Sequence, residues 1–181
     1  MRPLPLLSAS VFALAAALTL AQSSPSQAQA ARAPAAPQVP TALPTSVRPL
    51  HYTLAVTPDA GHLRFTGRVQ IDIQVVQPTD TIVLNAIDMD FARVALEDGS
   101  VGRARMDEEA QTATLRFPAP IQPGRHRLSI DYSGKIYTQA AGLFALDYTT
   151  EGGVQKRALF TQFEAPDARR FFPGWDEPNF R

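Results

Sequence analysis

The stretch Phe160-Thr161-Gln162-Phe163-Glu164-Ala165 sets a carboxamide and a carboxylate two residues apart. On an extended backbone side chains alternate, so Phe160, Gln162 and Glu164 share one face and Leu159, Thr161 and Phe163 the other. At the end of a strand such a pair can recognise an amine, because a carboxylate accepting from an ammonium makes a charge-assisted hydrogen bond, stronger than a neutral one. On residue type alone, however, the better-supported reading is that the two side chains simply face water. The other reactive side chains assemble into nothing. His51, His62 and His126 stand far apart, and His-Glu-x-x-His is absent, so a zinc site of three or four converging ligands is not expected within the chain. There is no cysteine, no Gly-x-Ser-x-Gly elbow and no glycine-rich phosphate loop, which removes thiol, serine-elbow and nucleotide chemistry. Asp176 and Glu177 are adjacent, and neighbours on a chain seldom converge as an acid and base pair. We assign no catalytic residue and no metal ligand to this sequence.

The elements that must position Gln162 and Glu164 are strands. Tyr52, Leu54 and Val56 alternate, and Leu63, Phe65, Gly67, Val69, Ile71, Ile73 and Val75 then occupy every second position, with Arg64, Thr66, Arg68, Gln70, Asp72 and Gln74 between them. A helix cannot present that pattern. Further strands are predicted over 81–85, 91–96, 112–117, 126–132, 143–149 and 157–165, separated by turn sequences such as Gln77-Pro78-Thr79-Asp80, Glu97-Asp98-Gly99, 118–124 and Glu151-Gly152-Gly153. Residues 166–171 are a short helical candidate, with Pro166 suited to a first helical position. Clean alternation of apolar and polar residues favours antiparallel pairing with one solvated face. The expected fold is all-β, either a sandwich or an open, curved sheet.

Composition bounds the partners. Among 181 residues there are 17 Lys+Arg and 17 Asp+Glu, a balance without the cationic excess that a nucleic-acid surface needs. Residues 1–30 read as an export signal: Arg2 precedes the uncharged apolar run from Leu4 to Ala21, and Ala28-Gln29-Ala30 offers small residues for cleavage after Ala30, with Ala21 the second choice. The run is broken by Pro5 and Ser8 and falls short of the ~20 residues of a spanning helix, so cleavage is favoured over a stable membrane anchor. Without cysteine there is no lipoprotein attachment. Residues 31–44 form a linker rich in alanine and proline, extended and semi-rigid. Residues 45–181 form the folded domain, which must stand on its core alone, since no disulfide is available. The protein is expected to be exported, periplasmic or extracellular.

Thr161-Gln162-Phe163-Glu164-Ala165, followed by Asp167-Ala168-Arg169-Arg170 and by Phe172-Pro173-Gly174-Trp175-Asp176-Glu177-Pro178, resembles the signature of the aminopeptidase N family of zinc metallopeptidases. The run Leu43-Pro44-Thr45-Ser46-Val47-Arg48-Pro49-Leu50-His51-Tyr52-Thr53-Leu54 and the strand from Phe65 to Ile73 are similar to the start of that family's N-terminal β domain. The likeness extends from about Leu43 to Arg181. It implies a curved, saddle-like sheet and, by position, a substrate-binding role for Glu164, on the free α-amino group of a peptide, and for Gln162, beside the first side chain. It implies zinc in the full-length family enzyme. The family's zinc ligands, its Gly-x-Met-Glu-Asn element and its catalytic tyrosine lie downstream of this stretch. The chain is therefore expected to be an inert front fragment whose partners are peptide N-termini and the missing catalytic domain. Phe172–Pro178 is expected to be structural, with Trp175 a buried anchor, and Gly174, where the family often has cysteine, is expected to change packing only. The alternative is a free-standing exported β-sandwich module that binds or scaffolds without catalysis.

Overall fold

A computed structural model describes residues 43–180. The expected leader over 1–30 and the expected linker as far as residue 42 lie outside the described residues. The period-two pattern forms nine strands: β1 (Val47–Asp59), β2 (Arg64–Val75), β3 (Thr79–Asn85), β4 (Met89–Leu96), β5 (Val101–Asp107), β6 (Thr112–Ile121), β7 (Gly124–Lys135), β8 (Gly142–Thr149) and β9 (Gln155–Gln162). Short 3-10 turns follow at Asp167–Arg170 and Pro178–Phe180. No helix among the described residues is long and apolar enough to cross a membrane.

Seven strands form one antiparallel sheet in the order β1-β2-β7-β4-β5-β6-β3, and β8 and β9 form a separate hairpin. The large sheet curls at β5. Val101 and Gly102 pair with Ala95 and Val94 of β4, whereas Arg103 to Asp107 pair with β6. One strand thus serves both halves, and their inner faces share a core: Val69, Ile71, Ile73, Leu128 and Ile130 from one half, Ile82, Leu84, Ala113, Leu115 and Phe117 from the other. The sandwich and the curved sheet expected as alternatives are both features of this one fold.

Where β2 meets β7 the inner face fits by size. Phe65 lies opposite Gly134, and Gly67 opposite Tyr132. The rings of Phe65 and Tyr132 meet edge-on at 6.1 Å, and each lies over the other strand's glycine. A Cβ on Gly134 would sit 2.5 Å from the Phe65 ring. Gly134→Ala is therefore expected to destabilise the domain by about 1–3 kcal/mol, the cost of forcing a packed core apart. An unchanged midpoint in urea unfolding would show that the Phe65 ring has another place to go. On the outer face the polar residues form cross-strand pairs, among them Arg127 with Asp72 at 2.6 Å and Arg68 with Asp131. These pairs are exposed and fix register more than they add stability.

Three expectations on the elements are corrected. β5 is not predicted from sequence because it buries only Gly102 and half-buries Met106, too weak a pattern to stand out. Gly102 is needed there: a Cβ would lie 3.0 Å from the Phe117 ring. β6 runs on through Pro118 and Pro120 to Ile121, where a turn was expected. Its pairing with β3 is irregular between Thr79 and Thr81, and prolines without N–H groups are tolerated at such a break in the ladder. Lastly, the strand expected over 157–165 ends at Gln162.

Candidate functional site

The early end of β9 changes how Gln162 and Glu164 are presented. Gln162 is the last residue of the strand, paired with Gly142 of β8. Glu164 lies past the strand, in the turn that leads to the 3-10 segment. The Gln162 side chain nevertheless reaches the backbone of the turn that carries Glu164. The Glu164 N–H donates to Gln162 Oε1 at 3.3 Å, and both residues are exposed. Phe163 fastens the turn from behind: its ring stacks on Phe171 at 5.6 Å and meets Phe172 edge-on at 6.4 Å. Phe171 packs in turn on Phe65, and Phe172 on Tyr52. The arrangement is a carboxylate and a carboxamide held at the surface by an aromatic anchor rooted in the core. An exposed carboxylate and carboxamide of this kind can accept hydrogen bonds from a cationic group.

The residues that follow form a strap across the main sheet. Gly174 exchanges backbone hydrogen bonds with Asn85 at 2.7 and 3.0 Å, and the Asp176 N–H donates to Asn85 Oδ1 at 3.0 Å. The Trp175 N–H donates to Tyr52 Oη at 3.1 Å. Burial pushes the Tyr52 phenol up to about 12, so it stays protonated. Asp176 and Glu177 do not converge. Arg169, only 3 % exposed, donates to Asp176 at 3.1 Å, while Glu177, 5 % exposed, accepts from the Leu43 N–H at 2.9 Å. Leu43 is itself buried in the core. Trp175 is buried, as expected of an anchor, and a Cβ on Gly174 would lie 3.0 Å from the Tyr52 ring.

A further cluster was not foreseen from sequence. Asp88 accepts from the Tyr137 hydroxyl, from Lys135 at 2.9 Å and from Arg170 at 3.2 Å. Partial burial pushes the Asp88 carboxyl up, but these three donors outweigh it and hold the group below the usual carboxylate range. A carboxyl with a lowered folded-state pKa stabilises the fold above its unfolded value, about 4, and loses that contribution as pH falls through the folded value. Thermal melts should therefore show an acid limb below about pH 4 that is shallower in Asp88→Asn. An identical limb in the variant would contradict the assignment. Nothing in the sequence links Asp88 to Tyr137 and Arg170. The one local sign is a loop aspartate, and the structure gives it φ of 58°, a left-handed conformation that aspartate tolerates better than most residues.

The three histidines serve local roles. His62 Nδ1 pairs with Asp59 at 2.7 Å in the β1–β2 turn, and His126 Nε2 lies 2.8 Å from the Gln122 carbonyl. His51 stands opposite Asp72 on β1. Among the described residues no three His, Asp or Glu side chains gather to hold a metal, so the donors present do not fit a zinc ion.

With this geometry in place, comparison with known proteins is decisive. The family model described as Peptidase M1 N-terminal domain matches residues 48–181. The chain belongs to the Peptidase M1 N-terminal domain family. An aminopeptidase N from Acetobacter pasteurianus is 42% identical over 139 residues, covering 77% of this chain and 39% of the relative. Aminopeptidase 2 of Candida albicans is 34% identical over 137 residues, covering 75% of this chain and 15% of the relative. The mitochondrial Aminopeptidase 2 of Saccharomyces cerevisiae is 35% identical over 144 residues, with 77% and 15% covered. This M1 N-terminal domain chain thus spans well under half the length of the curated relatives it matches. The all-β, curled antiparallel sheet expected from the family likeness is the fold observed.

Proposed function

We propose that this chain supplies the substrate-recognising front of a zinc-dependent aminopeptidase, which removes N-terminal residues from peptides. The observation that carries the reading is the Gln162–Glu164 pair, two exposed hydrogen-bonding side chains at the end of β9, fastened from behind by Phe163. Glu164 accepts from the free α-ammonium of the peptide. A peptide that continued past this point would offer a neutral amide instead, so the contact confines cleavage to the N-terminus. Gln162 borders the space for the first side chain. In this reading zinc is held by the remainder of the enzyme, since the donors among the described residues do not fit it, and the chain alone is inert toward peptides.

The outward face of the β8–β9 hairpin supports a missing partner. Leu146, Tyr148 and Phe160 are 54, 45 and 48 % exposed, and the Phe160 ring lies 5.8 Å from that of Phe144. A contiguous apolar face of this kind marks an interaction surface. It runs directly up to Gln162, the next outward residue on β9 after Phe160. In this reading the catalytic remainder of the enzyme covers it, which a free-standing module would leave bare. We also place the protein outside the cytoplasm on the strength of its first thirty residues. Intact mass of exported protein should show an N-terminus at or near Ala31, and a full-length cytoplasmic product would refute export.

The test of the function is to read the coding sequence past Arg181 and assay the whole product. We expect an open frame carrying Gly-x-Met-Glu-Asn and His-Glu-x-x-His, and hydrolysis of an unblocked aminoacyl anilide but not of its N-acetyl form. An authentic stop codon after Arg181 would overturn the reading in favour of the binding module.

A further inference from the structure

A recognition turn works only if it is held in one place, and the means of holding Gln162 and Glu164 lies outside their own strand. Tyr137 follows the end of β7. Its N–H donates to the Leu143 carbonyl and its carbonyl accepts from the Ala145 N–H, both at 2.8 Å. Its backbone therefore grips β8, the partner of β9, at the base of the hairpin. Its hydroxyl donates to Asp88 Oδ2, which also receives Lys135 and Arg170. The two cations flank the Tyr137 ring at 4.8 and 5.4 Å from its centroid.

Arg170 carries this grip to both ends of the turn. Downstream, its Nε donates to Asp167 at 2.8 Å and so fixes the 3-10 segment that follows Glu164. Upstream, it abuts Gly142. Gly142 has φ of 57°, and a Cβ there would lie 2.7 Å from the Arg170 Cβ. Gly142 is the cross-strand partner of Gln162. The segment from Gln162 to Asp167 is thus bounded on one side through Gly142 and on the other through Asp167, and both boundaries rest on Arg170 and, through it, on Asp88. The charged groups are partly exposed, 31 % for Asp88 and 25 % for Arg170, so solvent screening keeps their contribution to global stability modest. A connected network of this kind fixes geometry.

We propose that Asp88, Tyr137 and Arg170 are positioning residues for N-terminal amine recognition, clamping the Gln162–Glu164 turn from both ends. This rests on the reading of Gln162 and Glu164 as the amine contact. Tyr137→Phe keeps the ring and removes only the hydroxyl, and Asp88→Asn removes only the charge. In either variant of the full chain, hydrogen exchange should quicken about tenfold at amides 142–146 and 161–165, the change expected for one lost charge-assisted hydrogen bond. Amides of β2 and the central part of β7 should keep their protection. No change, or an equal change across the large sheet, overturns the clamp, because a merely structural role would loosen everything together.

In the aminopeptidase that contains this chain, the same variants should raise KM for an unblocked substrate about tenfold and leave kcat within about twofold. Arg170→Lys, which keeps the charge but loses the planar fork, should fall between them and wild type. If Glu164→Ala raises KM and the clamp variants do not, the clamp is wrong and the amine contact stands. If Glu164→Ala itself leaves KM unchanged, the amine contact is wrong, and the exchange experiment alone then decides whether the clamp exists.

Discussion

Replacing Trp175 with alanine is expected to destabilise the domain by about 3–5 kcal/mol, the cost of deleting a large buried aromatic side chain. The side chain is 8 % exposed, belongs to the hydrophobic core and packs against Phe180 at 6.4 Å. It also sits between two residues that fasten the strap, since Gly174 and Asp176 both bind Asn85. Losing the indole should loosen those bonds together. Trp175→Phe should cost less, because the indole Nε1 has no hydrogen-bond partner among the described residues and only ring volume is lost. Urea unfolding of the two variants measures this: the midpoint should fall markedly for alanine and less for phenylalanine. Unchanged stability in Trp175→Ala would mean that the run from Phe172 to Pro178 is not a structural strap, and a functional role for it would have to be sought.

The second large effect is on activity. In the aminopeptidase proposed to contain this chain, Glu164→Ala should lower kcat/KM for an unblocked aminoacyl substrate about ten- to hundred-fold, the equivalent of roughly 1.5–3 kcal/mol for a lost hydrogen bond to a charged group. Glu164→Gln should be milder, since an amide oxygen still accepts from an ammonium. Neither change should shift the urea midpoint, because the side chain is exposed and outside the core. Neither should alter zinc content, because in this reading Glu164 touches substrate rather than metal. A fall in activity accompanied by loss of zinc would point to a different role.

The fold was legible wherever apolar and polar residues alternate cleanly. β2 and β7 were readable because their inward residues are large and their outward residues polar. β5 was not, because close packing by Phe117 demands a glycine where a pattern would need a large apolar residue. The end of β9 was misplaced for a related reason. Alternation continues past Gln162 through Phe163 and Glu164, but what maintains it there is the stacking of Phe163 on Phe171, a contact made beyond the strand. The site pair itself was visible as two polar residues with the right spacing. The amine-binding role proposed for it came from the family likeness, since spacing alone favoured a solvated strand end. The clamp was invisible, because Asp88, Tyr137 and Arg170 are far apart in the chain and only the packing of the hairpin base brings them together.

The central claim is that Glu164 reads a free amino terminus, and inhibition constants test it most directly. An amino acid amide and its N-acetyl counterpart would be compared as competitive inhibitors of the wild-type aminopeptidase and of Glu164→Ala. The account predicts that the unblocked amide binds the wild type more tightly than the N-acetyl form, and that Glu164→Ala weakens it about ten- to hundred-fold while hardly affecting the N-acetyl form. Equal weakening of both compounds, or no weakening of either in a folded protein, would contradict it and leave Glu164 as a solvated residue at the end of a hairpin.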